Sequence, residues 1–105
     1  MNYRQAKIRA DIMKALAHPV RVMAIHALQH GEKCVSDLNK LVKLNQSNMS
    51  RHLTVLKKAG ILSDRRDGMK VFYRLQLPGI LKAFDCTADV VRSVSRTHQD
   101  NERSF

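Results

Sequence analysis

Apolar residues recur along this chain at two different periods, and the change of period separates helices from a hairpin. Over residues 4–17, Ile8, Ile12 and Leu16 stand four apart in a polar background, one narrow helical stripe. His18-Pro19 interrupts it, because a proline disfavours helix in the residue before it but suits the first turn of a new helix. The spacing predicts that second helix over about Pro19–Gln29, apolar at Val22, Ala24, Ile25 and Leu28, with Gly31 as its stop. A third helix starts at Val35 behind Cys34 and Asp37, a capping-box spacing with cysteine at the cap, and turns Val35, Leu38, Leu41 and Val42 inward. After Lys43-Leu44, Asn45 is a favoured cap for a fourth helix that ends at Gly60. Two helices joined by so short a turn form a helix-turn-helix pattern.

From Ile61 to Leu75 the period drops to two. Met69, Val71, Tyr73 and Leu75 alternate with Lys70, Phe72 and Arg74, and Asp67-Gly68 separates this run from Leu62–Arg66. Asp-Gly between two such runs predicts a two-residue hairpin turn. Pro78 opens a last helix, about Gly79–Thr97, in which Ile80, Phe84, Ala88, Val91 and Val94 form a seam spaced four, four, three and three. The preceding helices already supply a core. The seam, with the narrow stripe of Ile8 and Ile12 on the first helix, therefore points to a partner copy; packing back onto its own domain is the alternative. The fold class is mainly α with a small β-hairpin: four helices, the hairpin, and a fifth helix. Residues 1–97 are expected to form one domain, and residues 98–105 a polar, flexible tail.

Charge then gives the fourth helix a meaning. Met49, Leu53 and Leu56 share one face, while Ser47, Arg51, Thr54 and Lys58 recur on the other, flanked by Gln46, Asn48 and Ser50. A solvated helix face normally mixes signs, yet no acidic residue occurs from Gln46 to Ala59. These are side chains that bond to base edges and phosphates, so the helix is expected in a major groove. Arg65, Arg66 and Lys70 bracket the hairpin tip, as in a wing that follows the phosphate backbone. The whole 105-residue chain carries 19 Lys+Arg against nine Asp+Glu, a net charge of +10. That excess implies an anionic partner, most often nucleic acid. No apolar run reaches the ~20 residues a membrane helix needs, and no export signal is evident. Cytoplasmic placement with reduced thiols, and no membrane partner, follow as expectations. There is no GxxxxGK[ST] or GxGxxG phosphate cradle and no triad-like spacing, so an enzyme is not expected.

The order of elements, with the strings Leu16-Ala17-His18-Pro19-Val20-Arg21, Val35-Ser36-Asp37-Leu38, Asn45-Gln46-Ser47-Asn48-Met49-Ser50-Arg51-His52-Leu53 and Val71-Phe72-Tyr73-Arg74-Leu75, resembles the ArsR (ArsR/SmtB-type) family of winged helix-turn-helix repressors. The resemblance spans about residues 10–95, four motifs in the right order. It implies a homodimer that binds a palindromic double-stranded DNA operator and releases it when an inducer binds or a thiol reacts. It places the base-reading positions on Gln46, Ser47, Asn48, Ser50, Arg51 and His52, and the wing contacts on Arg65, Arg66 and Lys70.

No sensor pattern of the family is complete. Arsenite sensors carry Cys-Val-Cys-Asp-Leu-Cys at the third helix, whereas this chain reads Cys34-Val35-Ser36-Asp37-Leu38-Asn39. One thiolate does not make an As(III) site. Asp85 and His98 match half of a zinc set, with Thr87 and Asn101 in the other places. His26 stands where the reactive-sulfur sensors place a cysteine. Two thiols remain for sensing, Cys34 and Cys86. Cys34 at a helix start beside Lys33 is placed to favour the reactive thiolate, and a small capping and a small core residue are the plain alternative. No cofactor is required; a metal or metalloid ion enters only as an inducer. The competing functions are a non-specific, architectural winged-helix binder of nucleic acid, a protein-interaction module using the last helix, and a family repressor without a metal site.

Overall fold

The computed structural model describes the backbone of residues 1–43 and 46–104, and the side chains of these except Gln46, Ser47, Asp89 and 95–104. Five helices and a three-stranded sheet follow in the order α1 (Tyr3–Leu16), α2 (Pro19–Ala27), β1 (Lys33–Cys34), α3 (Val35–Val42), α4 (Gln46–Lys58), β2 (Leu62–Asp67), β3 (Lys70–Leu75) and α5 (Ile80–Ser104). None of these helices is long and apolar enough to cross a membrane.

Each boundary has a local cause. Asn2 caps α1 in a full capping box with Gln5, at 2.9 and 3.0 Å. His18 caps α2: its Nδ1 accepts the Val20 N–H at 3.1 Å, and Pro19 fills the first turn, where its missing N–H costs nothing. The last turn predicted for α2 tightens into a 3-10 turn at Leu28–His30, closed by Gly31 at φ 140°. Cys34 does stand at the cap of α3, but its side chain makes no capping bond, so the capping box expected there is absent. At the end of α4, Gly60 takes φ 80°, the Ile61 N–H returns to the Leu56 carbonyl and the Gly60 N–H to that of Lys57, a Schellman stop. The cap assigned to Asn45 lies outside the described residues.

The sheet is antiparallel throughout, in the order β1-β3-β2. β1 was not foreseen: Lys33 faces Tyr73 and Cys34 faces Phe72. The hairpin turn lies one residue later than the Asp67-Gly68 signal, because Asp67 pairs with Lys70 and leaves Gly68-Met69 at the tip. Gly68, the first loop residue, takes φ 63°, the position where a II′ hairpin turn requires glycine.

Twelve residues between Ala15 and Tyr73 form the core, and Ile25, Leu38, Met49, Leu53, Leu56 and Ile61 are its largest fully buried side chains. Among the described residues, α5 adds Ile80, Leu81 and Phe84 to its edge. Three of the seven positions expected in the dimer seam, Ile12, Ile80 and Phe84, are half-buried and pack against the protomer's own core. The other four, Ile8, Ala88, Val91 and Val94, are exposed, and Val90 joins them at 61%. α5 also continues to Ser104, past the end expected near Thr97 and through most of the segment expected as a flexible tail.

Candidate nucleic-acid interface

α4 is held by one apolar edge. Met49, Leu53 and Leu56 are wholly buried, a spacing of four and three that fixes which side faces outward. Asn48, Arg51, Thr54, Lys57 and Lys58 are exposed and Ser50 half-buried; the side chains of Gln46 and Ser47 lie outside the described residues. The Thr54 hydroxyl donates to the Ser50 carbonyl at 2.8 Å, which leaves its oxygen lone pairs and methyl group outward. Lys58 lies at the far end of the helix, in a recess shared with Asp11, Lys14 and Arg21 beside α1.

His52 is placed differently from its neighbours. It is half-buried, its Nδ1 accepts the Arg21 Nε–H at 3.1 Å, and its ring lies 4.2 Å from that of His18 at an angle of 41°. Burial, then the neighbouring His18 and Arg21, hold it below the usual histidine range. An Nδ1 that accepts a bond from a guanidinium carries no proton, so this ring is neutral with its hydrogen on Nε2. Arg21 also donates Nη1–H to the Ala15 carbonyl at the end of α1, 3.3 Å away. Sequence reasoning gave Arg21 no role, although a lone arginine in the apolar run from Val20 to Ile25 was the available signal.

The wing arginines divide as well. Arg65 Nε lies 2.7 Å from Glu32 Oε2, its Nη1 3.7 Å from Asp67, and its guanidinium 4.7 Å above the Phe72 ring. Arg66 and Lys70 are exposed, and neither forms an ion pair among the described residues. Lys57 bridges to Asp64 at 3.0 Å, tying the end of α4 to β2.

Among the described residues no three His, Cys, Asp or Glu side chains come together to hold a metal ion. Cys34 is buried and Cys86 exposed, both as free thiols.

Residues 18–64, from the cap of α2 through α4 into β2, match the model of the "Bacterial regulatory protein, arsR family". A biofilm growth-associated repressor of Xylella fastidiosa is 36% identical over 86 residues, 76% of this chain and 75% of the relative. The chain belongs to the arsR family. The crystal structure of the transcriptional repressor BigR from Xylella fastidiosa superposes with a TM-score of 0.73 at 31% identity, covering 83% of this chain and 89% of that one. A homodimeric winged helix-turn-helix DNA-binding domain, Mb0332 of Mycobacterium bovis, gives 0.69 at 26% identity, covering 96% and 93%. This arsR-family chain is thus a DNA-binding transcriptional repressor, not an enzyme.

Proposed function

We propose that two copies of this chain pair through α5 and α1 and bind a palindromic operator, each laying the outer face of α4 in a major groove. The observation that carries the reading is that acid-free face, with Asn48, Arg51 and Thr54 exposed opposite a fully buried apolar edge. A two-fold pair would set its recognition helices one DNA turn apart, ~34–36 Å, which explains the need for a palindrome. Exposed Ile8, Val90, Val91 and Val94 supply apolar surface for the pairing, and the solved homodimer of the Mycobacterium bovis relative favours it.

In this reading Gln46, Ser47, Asn48, Ser50, Arg51 and Thr54 face the bases and adjoining backbone. Lys58, Arg66 and Lys70 face phosphates, with Arg65 drawn partly away by Glu32. Release follows from a metal or metalloid ion or a thiol-reactive inducer acting at the exposed Cys86, or at Cys34 where the inducer is small enough to reach a buried thiol. A native mass spectrum of the reduced protein with Zn(II), As(III) and a persulfide donor, beside Cys34→Ser, tests this. No adduct in either protein selects a repressor without a metal or thiol site.

The operator is tested by selecting duplexes from a random library. Arg51→Ala is expected to relax base preference within the selected site; unchanged preference refutes the groove assignment. Equal affinity of the wild type for selected and random duplexes selects the non-specific, architectural reading instead.

A further inference from the structure

We propose that Arg21 is a positioning residue for the DNA-reading helix: with His18 beside it, it clamps His52 and so fixes the rotation of α4, and His52 serves this clamp rather than base reading. The inference rests on operator binding through α4.

The apolar edge of α4 sets how deeply the helix sits and which side faces outward, but only coarsely in angle, because dispersion contacts are not directional. A hydrogen bond is directional, and the one from Arg21 Nε to His52 Nδ1 ties α4 to a residue 31 positions earlier. Arg51 precedes His52 by one residue, about 100° around the helix, so the angle at which His52 is held sets the direction of Arg51. Recognition geometry tolerates only about 0.5 Å and 10–20° of error. The other arm of the same guanidinium holds the last turn of α1 through the Ala15 carbonyl. One planar fork therefore references the reading helix to the α1–α2 corner, which a lysine ammonium cannot do with two fixed donors. The His18 ring packs on the far side, itself held by the Val20 N–H.

The clamp requires a neutral His52. The charged or titratable groups that act on it are His18 at the α1–α2 junction and Arg21 on α2, both basic. On α1, the recess beside Arg21 adds Lys14 and Asp11, and Asp11 is paired with Lys7 at 3.0 Å. Protonation at Nδ1 would remove the acceptor and set a further positive charge against Arg21. A histidine that simply touched DNA would do the reverse and tighten binding in acid, because the added charge meets phosphate. The sign of the pH response thus separates the two roles.

The test is fluorescence anisotropy at fixed ionic strength on the duplex enriched by the wild type and on a scrambled duplex, from about pH 7.5 to 5.5. Wild-type affinity for the enriched duplex is expected to fall progressively toward acid, by less than about ten-fold at pH 5.5 because His52 is held below its ordinary 6.5 and is only partly protonated there, while scrambled binding does not fall. Arg21→Lys is expected to lose about ten-fold on the enriched duplex at neutral pH, the order of one hydrogen bond to a charged donor, and to show a flat profile. His52→Gln keeps an acceptor but does not titrate, so it should retain neutral-pH affinity and lose the acid fall. Tighter wild-type binding in acid, Arg21→Lys matching the wild type, or altered base preference in His52→Gln would each overturn the clamp alone. Failure of the wild type to enrich any sequence overturns the operator reading and the clamp with it.

Discussion

The two arginines at the wing tip should contribute unequally to DNA binding, because only one has to abandon a protein partner. Arg65 makes a close ion pair with Glu32 and lies over Phe72, with side-chain exposures of 53% and 31% for the ion pair. An exposed ion pair of this kind stabilises by about 0–1 kcal/mol, and a cation over an aromatic face by about 0.5–1. Turning Arg65 toward a phosphate thus costs about 0.5–2 kcal/mol, roughly two- to thirty-fold in occupancy, whereas Arg66 pays no such cost. Each phosphate neutralised contributes about 0.9 to the slope of log K against log salt. Arg66→Ala is therefore expected to lower that slope by about one per subunit, and Arg65→Ala by much less. Glu32→Gln frees Arg65 and should raise both affinity and slope. Anisotropy titrations between about 50 and 200 mM salt measure all three. Equal loss of slope in the two arginine variants would refute the reasoning, as would an unchanged slope in Glu32→Gln.

Leu53→Ala removes a fully buried side chain from the centre of α4 and should cost about 2–5 kcal/mol in urea unfolding; a loss under about 1 would mean the helix is not packed as described. Cys86 is exposed and Cys34 buried, so an aromatic disulfide reagent should titrate one thiol in the native protein and the second only on unfolding. Simultaneous reaction of both contradicts the burial of Cys34. The folded protein holds His52 below its ordinary 6.5, so the unfolded chain binds its proton first. The stability due to neutral His52 is complete above that value and is lost as pH falls from it through the lowered folded one. A melting-temperature profile should show this loss in the wild type and a smaller one in His52→Gln; identical profiles would exclude it.

The helices and the outward face of α4 were legible because their causes are local. Met49, Leu53 and Leu56 repeat at helical spacing, and burying them leaves Arg51 and Thr54 nowhere to go but outward. The turn signal at Asp67-Gly68 was legible only to within one residue: composition shows that a glycine is needed, while cross-strand pairing decides which position it fills. β1 was hidden because two residues carry no period and its partner strand lies almost forty residues on. The seam of α5 was visible as a stripe, but a stripe does not say which part meets its own core, and Ile80 and Phe84 proved to be that part. The polar composition after Thr97 suggested an end, yet nothing there breaks a helix and α5 goes on.

In the site, Arg65 and His52 were assigned to DNA by residue type and position. Their partners, Glu32 and Arg21, stand 33 and 31 residues away. Such pairings depend on how the chain folds back, so no local pattern announces them. Arg51, Arg66 and Lys70 remain exposed where the sequence placed them because no folded-back partner competes for them among the described residues.

Lys33-Cys34 leaves the sheet directly into the first turn of α3, with no residue between strand and helix. The wing and the first half of the helix-turn-helix are thus joined through a shared backbone ladder, like two prongs cast on one stem. The distance from groove to flanking backbone is then a built-in gauge of the protein. In the proposed operator complex a duplex that fits would match that spacing, so shape would be measured alongside the letters Arg51 is proposed to touch.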